Sequence, residues 1–377
     1  MTIPAGRAAT ADSIAAVDER AYAMAGVDTD RAAAAVASLV EVLRSIDTGR
    51  PSRGRLGSGH YAAVLAFDER TGLALSTDGV GTKVVVAQEL ERYDTVGIDC
   101  VAMNVNDVVC VGAEPVAVLD YIAVEDADPE ILRDIALGLK AGAEEAGVEI
   151  PGGELAQLPE LLRGHPSPRG FDLVAACFGT VPLDRVITGA RAAPGDAIVG
   201  LPSSGVHSNG LTLARRALPD LAESPPQLDG RTVGDELLVP TAIYVRAVLD
   251  LIQSGVDIRG LVHVTSGGLL NLLRLEAEVG YSIDDPLPRQ AVFDLIAERS
   301  GAGEAELQEV FNLGCGFCCV VPAGEAARAV ERLATRHPGA TVIGSVSERA
   351  GVVELPRAGL EGRQGTGFAE QPRTSLP

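Results

Sequence analysis

Apolar, β-branched runs in this chain stop repeatedly at short polar clusters bracketed by glycine, and this alternation constrains the fold more than any other feature. Leu73–Ser76 meets Thr77–Lys83 (TDGVGTK), a short run meets Gly152-Gly153-Glu154, and Asp196–Leu201 meets Ser203–Gly210 (SSGVHSNG). The stretch ending at His263 meets Val264-Thr265-Ser266-Gly267-Gly268, and Phe311-Asn312-Leu313-Gly314-Cys315-Gly316 makes a further tight turn. Strands are expected over 62–67, 73–76, 116–123, 172–181, 196–201, 317–321 and 341–345. Helical spacing and capping signals fill the gaps. Thr29 or Asp30 caps a helix over 31–46, Asp94 one over about 95–111 closed by Gly112, and Asp128-Pro129 opens one through about Ala146. Further helices are expected at 211–218, 241–254, 267–277 and 324–336.

Strands and helices alternating in two blocks predict an α/β chain of two domains, with mixed sheets of the α+β type. The expected division is an N-terminal extension (1–20), an N-terminal domain (21–180), a C-terminal α/β domain (181–355) and a flexible tail (356–377) lacking apolar periodicity.

Composition narrows the partners. With 31 Lys and Arg against 52 Asp and Glu, the formal charge of −21 argues against nucleic acid or an anionic membrane as main partner. Aromatic residues are 3% and Trp is absent, so base-stacking platforms are not expected. No segment is long and apolar enough to span a bilayer, and the first residues lack the apolar core of a secretory leader. The six cysteines sit mostly in apolar runs, which reads as buried reduced thiols in a cytoplasmic protein. Cys315, Cys318 and Cys319 lack the companions that complete a four-ligand metal site.

The polar clusters carry the chemistry. In TDGVGTK, Gly79 and Gly81 let backbone N–H groups approach phosphate oxygens, Lys83 adds a point charge, and Asp78 suits Mg²⁺ held against those phosphates. The alternative is an ordinary glycine-rich hairpin with a solvated lysine. The 95–111 helix carries Asp99, Asn104, Asn106 and Asp107 in an otherwise apolar sequence, and buried polar groups demand partners or ligands. Asn104 and Asp107 share a face, where a carboxylate beside an amide oxygen suits a divalent cation; the alternative is Asp107 accepting hydrogen bonds from loop N–H groups. Glu154 offers a third acid. Ser204, His207, Ser208 and Asn209 form an anion-binding loop before a helix, in which His207 donates to a phosphate or moves a proton; the alternative is a solvated histidine.

Beyond these clusters, Ala25-Gly26-Val27-Asp28, Asp94–Asp99, Asn106-Asp107, Gly112-Ala113-Glu114-Pro115, Leu119-Asp120-Tyr121 and Pro240–Val245 stand in one order with them. Together, over about 22–350, they resemble the phosphoribosylformylglycinamidine cyclo-ligase (aminoimidazole ribonucleotide synthetase) family. The resemblance implies a two-domain fold and a homodimer paired through the N-terminal sheets. It also implies ATP-dependent closure of formylglycinamidine ribonucleotide to aminoimidazole ribonucleotide in purine biosynthesis. ATP and Mg²⁺ are the implied cofactors. The implied catalytic residues are Asp107, His207 and Lys83, and the metal ligands Asp78, Asp107 and Glu154. Nucleotide contacts are implied at Gly57, Gly59, Gly79, Gly81, Thr82, Lys83 and Asn106, and substrate contacts at Ser204, His207, Ser208 and Asn209. The chain departs from the family at Val40, where a lysine is usual, at Gly57-Ser58-Gly59-His60-Tyr61, and after Glu154, which continues Leu-Ala-Gln-Leu-Pro. Two other readings compete. One is another ATP-using enzyme of the superfamily: selenophosphate synthetase needs a cysteine or selenocysteine that 50–61 lacks, and thiamine-monophosphate kinase lacks the DGVGTK form. The other is a non-catalytic nucleotide-binding dimer.

Overall fold

The computed structural model describes residues 21–26, 29–57 and 59–371. The expected extension over 1–20 and the last six residues lie outside these, as do Val27, Asp28 and Ser58. The N-terminal domain holds α1 (Ala21–Met24), α2 (Thr29–Arg44), β1 (Ala63–Ala66), β2 (Thr71–Gly79), α3 (Lys83–Leu90), α4 (Val96–Cys110), β3 (Glu114–Val124), α5 (Pro129–Ala146), β4 (Glu149–Gln157) and β5 (Phe171–Pro182). Its five strands run in the order β1-β2-β5-β3-β4, antiparallel except for β3 beside β4. The strands alternate: Ala74, Val118, Leu173, Ala175 and Cys177 are buried on the helix-covered face, while Leu75, Leu119 and Tyr121 are exposed on the other. Asp128 caps α5 by accepting from the Glu130 and Ile131 N–H groups, with Pro129 in the first turn. Helices α4 and α5 approach closely through Gly97 and Gly138, where a Cβ on either would strike the other helix or its cap.

The C-terminal domain holds β6 (Ala197–Pro202), α6 (Leu211–Ala217), α7 (Val233–Leu237), α8 (Val245–Gln253), β7 (Gly260–His263), β8 (Gly280–Ser282), α9 (Ala291–Ser300), α10 (Glu304–Val310), β9 (Cys315–Val321), α11 (Ala326–Ala334), β10 (Thr341–Ser347), β11 (Val353–Leu355), β12 (Leu360–Arg363) and β13 (Gly367–Glu370). These strands form one eight-stranded sheet, β13-β12-β11-β8-β10-β6-β9-β7, mixed because β11 runs parallel to β8. Strand β9 is buried at every position, with sheet neighbours on both sides, which explains its unbroken apolar sequence.

The mixed-sheet, two-domain expectation agrees with this architecture; three local readings do not. Strand β2 continues through Asp78 and Gly79, because both pair with β5 (Asp78 with Ala175, Gly79 with Val174). The helix expected over 267–277 is a 3₁₀ segment, Gly268–Arg274. The tail expected from 356 instead forms the β12–β13 hairpin over 360–370, which buries Leu360 and Phe368 and donates a hydrogen bond from Phe368 N to Glu309 Oε1 at 2.6 Å. Among the described residues no helix is long and apolar enough to cross a membrane.

Candidate active site

Helix α4 lies at the junction of the two domains, and its polar residues divide into two groups. Asn104 locks the end of β2: its Oδ1 accepts from Asp78 N at 3.0 Å, and its Nδ2 donates to Asp78 O at 3.1 Å. One turn on, Asp107 presents a carboxylate only 15% exposed and 2.8 Å from His263 Nδ1 of β7. Asp78 lies close enough to feel that charge. Burial pushes its carboxyl above the ordinary range; the Gly79 N–H opposes the shift and the negative charge of Asp107 adds to it. Asp78 Oδ1 accepts from Gly79 N at 2.7 Å, and Asp107 Oδ1 faces His263. Each carboxylate thus keeps a second oxygen to offer.

The His263 tautomer follows from its neighbour. Asn106 Oδ1 accepts from Tyr244 N at 2.9 Å and its Nδ2 donates to Ala242 O at 2.9 Å, which fixes the amide. That Nδ2 lies 3.5 Å from His263 Nε2, so Nε2 is the acceptor and Nδ1 carries the proton toward Asp107.

The second group is structural. Lys83 is fully buried, with Nζ 2.9 Å from the Asp99 carboxylate and 2.6 Å from Val239 O of the other domain. Asp99 Oδ1 also accepts from Thr241 N, Thr241 Oγ1 and Ser208 Oγ at 2.8, 2.6 and 3.2 Å. The expected phosphate-binding lysine is therefore the centre of an interdomain clamp. Asn106, expected at the nucleotide, staples the 242–244 segment instead. Thr82 remains exposed beside Thr212, 3.2 Å between hydroxyl oxygens, and Gly81 takes the left-handed φ of 67° that turns β2 into α3. Gly57 and Gly59 have open space where a Cβ would stand.

His207 also departs from expectation. It is 2% exposed with φ 63°, and its Nε2 accepts from Ser204 N at 3.1 Å, so Nδ1 carries the proton and has no partner among the described residues. Ser204 Oγ donates to Pro240 O at 2.5 Å. The loop is thus knotted on itself, and only Ser204 and Asn209 face outward. Burial holds the His207 pKa well below its ordinary value, with the positive charge of Lys83 adding. The folded protein keeps this ring neutral, while the unfolded chain takes up a proton below about pH 6.5. The stabilisation is therefore fully present above that pH and is lost as pH falls toward the folded pKa, by up to about 1.4 kcal/mol per unit. Asn tolerates a positive φ, so His207→Asn is expected to unfold with a weaker pH dependence than the parent between about pH 7 and 5. Parallel urea-unfolding profiles against pH would contradict this.

Glu154 does not join Asp78. It pairs with Tyr121, on the exposed face of the sheet, whereas Asp78 and Asp120 both pair with Ala175 on the covered face. Asp120, buried enough to raise its pKa, fills the space that a Cβ on Gly153 would need. A lone carboxylate in an apolar strand was the signal for it. The divergent 158–170 segment folds onto buried Glu125, whose Oε2 accepts from Gly164 N and Gly170 N at 2.7 and 3.2 Å, while Ser167 Oγ donates to Oε1.

Among the described residues no three His, Cys, Asp or Glu side chains are arranged to hold a metal by themselves. Asp78 and Asp107, each with an oxygen to spare and each within reach of the other's charge, nonetheless fit Mg²⁺, which takes few protein carboxylates and completes its shell with phosphate and water. All six cysteines are free and buried.

Comparisons with known proteins identify the family. The phosphoribosylformylglycinamidine cyclo-ligase of Methanothermobacter thermautotrophicus is 46% identical over 339 residues, covering 89% of this chain and 96% of that protein. The protein of the same name from Thermococcus kodakarensis is 45% identical, covering 88% and 96%. Among solved structures, hydrogenase maturation protein HypE in complex with ATP matches with a TM-score of 0.56 at 24% identity, over 77% of this chain and 83% of that one, a likeness of fold. Residues 59–181 match the model of the AIR synthase related protein N-terminal domain, and 193–355 that of its C-terminal domain. With both domains matched in order and relatives 45–46% identical over most of the chain, the chain belongs to the AIR synthase related family.

Proposed function

We propose that this chain is an ATP-dependent cyclo-ligase that closes formylglycinamidine ribonucleotide to aminoimidazole ribonucleotide. The name shared by its relatives supports this, and one observation carries it to these residues: Asp78, locked at its backbone by Asn104, and Asp107, held by His263, feel each other's charge at the domain junction. In the reaction the amide oxygen of the substrate attacks the γ-phosphorus and ADP leaves. A nitrogen of the same molecule then attacks the activated carbon, the ring closes, and phosphate departs with the former amide oxygen.

Asp78 and Asp107 would hold Mg²⁺, which when bound offsets charge on the transferred phosphoryl group. Their mutual repulsion is itself an argument for a cation between them. Asp120, on Asp78's face of the sheet, is the nearest further candidate by register. His263 holds the Asp107 carboxylate in one orientation through its Nδ1–H. The exposed Ser204 and half-buried Asn209, with backbone N–H groups around Gly81, are the groups suited to substrate and nucleotide oxygens. Ring closure is intramolecular, so gripping the substrate in a folded conformation supplies much of the rate.

With substrate labelled by ¹⁸O at the amide oxygen, the label is expected in inorganic phosphate. Label retained in the organic product would contradict a phosphorylated amide.

A homodimer is part of the proposal. Leu75, Leu119, Tyr121 and Phe67 are 39–63% exposed on the N-terminal sheet and its edge, an apolar surface that a second copy would cover. Leu119→Glu is expected to shift light-scattering mass from dimer to monomer; an unchanged dimer would place the interface elsewhere.

A further inference from the structure

With Lys83 spent on Asp99, the site needs another cation for phosphate charge, and the C-terminal domain supplies one. Arg274 ends the 3₁₀ segment that follows the His263 cluster. Its Cζ stands 4.7 Å from the centroid of the Tyr61 ring. Tyr61, itself 8% exposed, donates its hydroxyl to His263 O at 2.9 Å, and His263 holds Asp107 at 2.8 Å. A continuous chain of contacts thus fixes the guanidinium relative to the acidic pair. Its charge reaches both Asp78 and Tyr61.

Other arginines of this domain, Arg259, Arg289, Arg299 and Arg349, each hold a carboxylate. Among the described residues Arg274 has none; its contact is the ring face. Stacking occupies the plane of a guanidinium and leaves its N–H edges free, the geometry that takes phosphate oxygens in pairs. His60 Nε2 lies 3.0 Å from Glu276, pinning the 59–61 loop to the segment that carries Arg274.

We propose that Arg274 binds a phosphate group of one of the reactants at the interdomain site, with Tyr61 as its positioning residue. This rests on the cyclo-ligase reading. The phosphate belongs either to ATP or to the ribonucleotide, and the test distinguishes them.

Steady-state kinetics and thermal unfolding are measured on the full chain and on Arg274→Ala, Arg274→Lys, Tyr61→Phe and Tyr61→Leu. Arg274→Ala is expected to raise one KM or lower kcat by about tenfold or more, as loss of a charge-assisted hydrogen bond would. Arg274→Lys should recover only part of that, lacking the fork. Tyr61→Leu should show part of the loss and Tyr61→Phe little, since the ring remains. A rise in KM for ATP assigns the nucleotide phosphates, a rise for the ribonucleotide assigns its 5′-phosphate, and a fall in kcat alone assigns the phosphoryl group in flight. Arg274→Ala within twofold of the parent in kcat and both KM values would overturn the proposal, as would full recovery by Arg274→Lys. If the parent itself turns over no formylglycinamidine ribonucleotide, the functional reading has failed. Titration of ATP and of ribose 5-phosphate onto parent and Arg274→Ala then decides the phosphate site alone: weaker binding of either ligand supports it, and equal binding of both overturns it.

Discussion

Replacing Lys83 with methionine is expected to lower the unfolding free energy by about 3–5 kcal/mol, the cost of leaving one member of a buried ion pair behind. Asp99 would keep three donors, from Thr241 and Ser208, which favours the lower end of that range. It would lose the one full positive charge in its shell, and the Val239 carbonyl would lose its donor. Because these contacts join the two domains, the loss should appear as a lower urea midpoint and earlier proteolysis between them. Adding Asp99→Asn removes the stranded charge and should recover part of the stability. A phosphate-binding lysine predicts the reverse: near-normal stability and a collapse of turnover. Lys83→Met within about 1 kcal/mol of the parent would therefore contradict the clamp.

Asp107→Asn is expected to reverse that pattern. The substitution keeps an oxygen that accepts from His263 Nδ1–H, so the 2.8 Å contact to β7 survives and the melting temperature should move by only a few degrees. What it removes is a charge that reaches Asp78. If Asp78 and Asp107 share a cation during phosphoryl transfer, kcat should fall by about 10²-fold or more, and added Mg²⁺ should restore little of it. Activity within a few-fold of the parent would remove Asp107 from the metal site.

The two substitutions fall on opposite ends of motifs that look alike in one dimension, which shows where sequence reading works and where it stops. Alternating apolar runs and glycine clusters set the order of nearly every strand and helix, because period and capping are local properties. Asp78 and Asp107 stood out as candidates for the same reason: one ends an apolar run and the other lies on the face of an otherwise apolar helix. Lys83 was not legible in this way. Its partners are Asp99, 16 residues on, and the Val239 carbonyl, 156 residues away. Nothing beside Lys83 in the chain announces that the 239–241 segment will close over it. Glu154 failed on parity. One residue along an edge strand changes the face of the sheet, and β4 is so rich in glycine and exposed residues that its pattern does not reveal which face is which. The β12–β13 hairpin was missed because two four-residue strands carry too few alternations to register, although Leu360 and Phe368 anchor them. His263 stood inside a recognised polar cluster, but its role required knowing that β7 runs beside α4.

The central claim is chemical, and one measurement reaches it most directly. Purified protein is incubated with ATP, Mg²⁺ and formylglycinamidine ribonucleotide, and ADP and aminoimidazole ribonucleotide are followed together. The account predicts that both appear at equal rates, that neither appears when the ribonucleotide is omitted, and that Asp107→Asn suppresses both alike. ADP release no greater than in an ATP-only blank, with no aminoimidazole ribonucleotide formed, would contradict it.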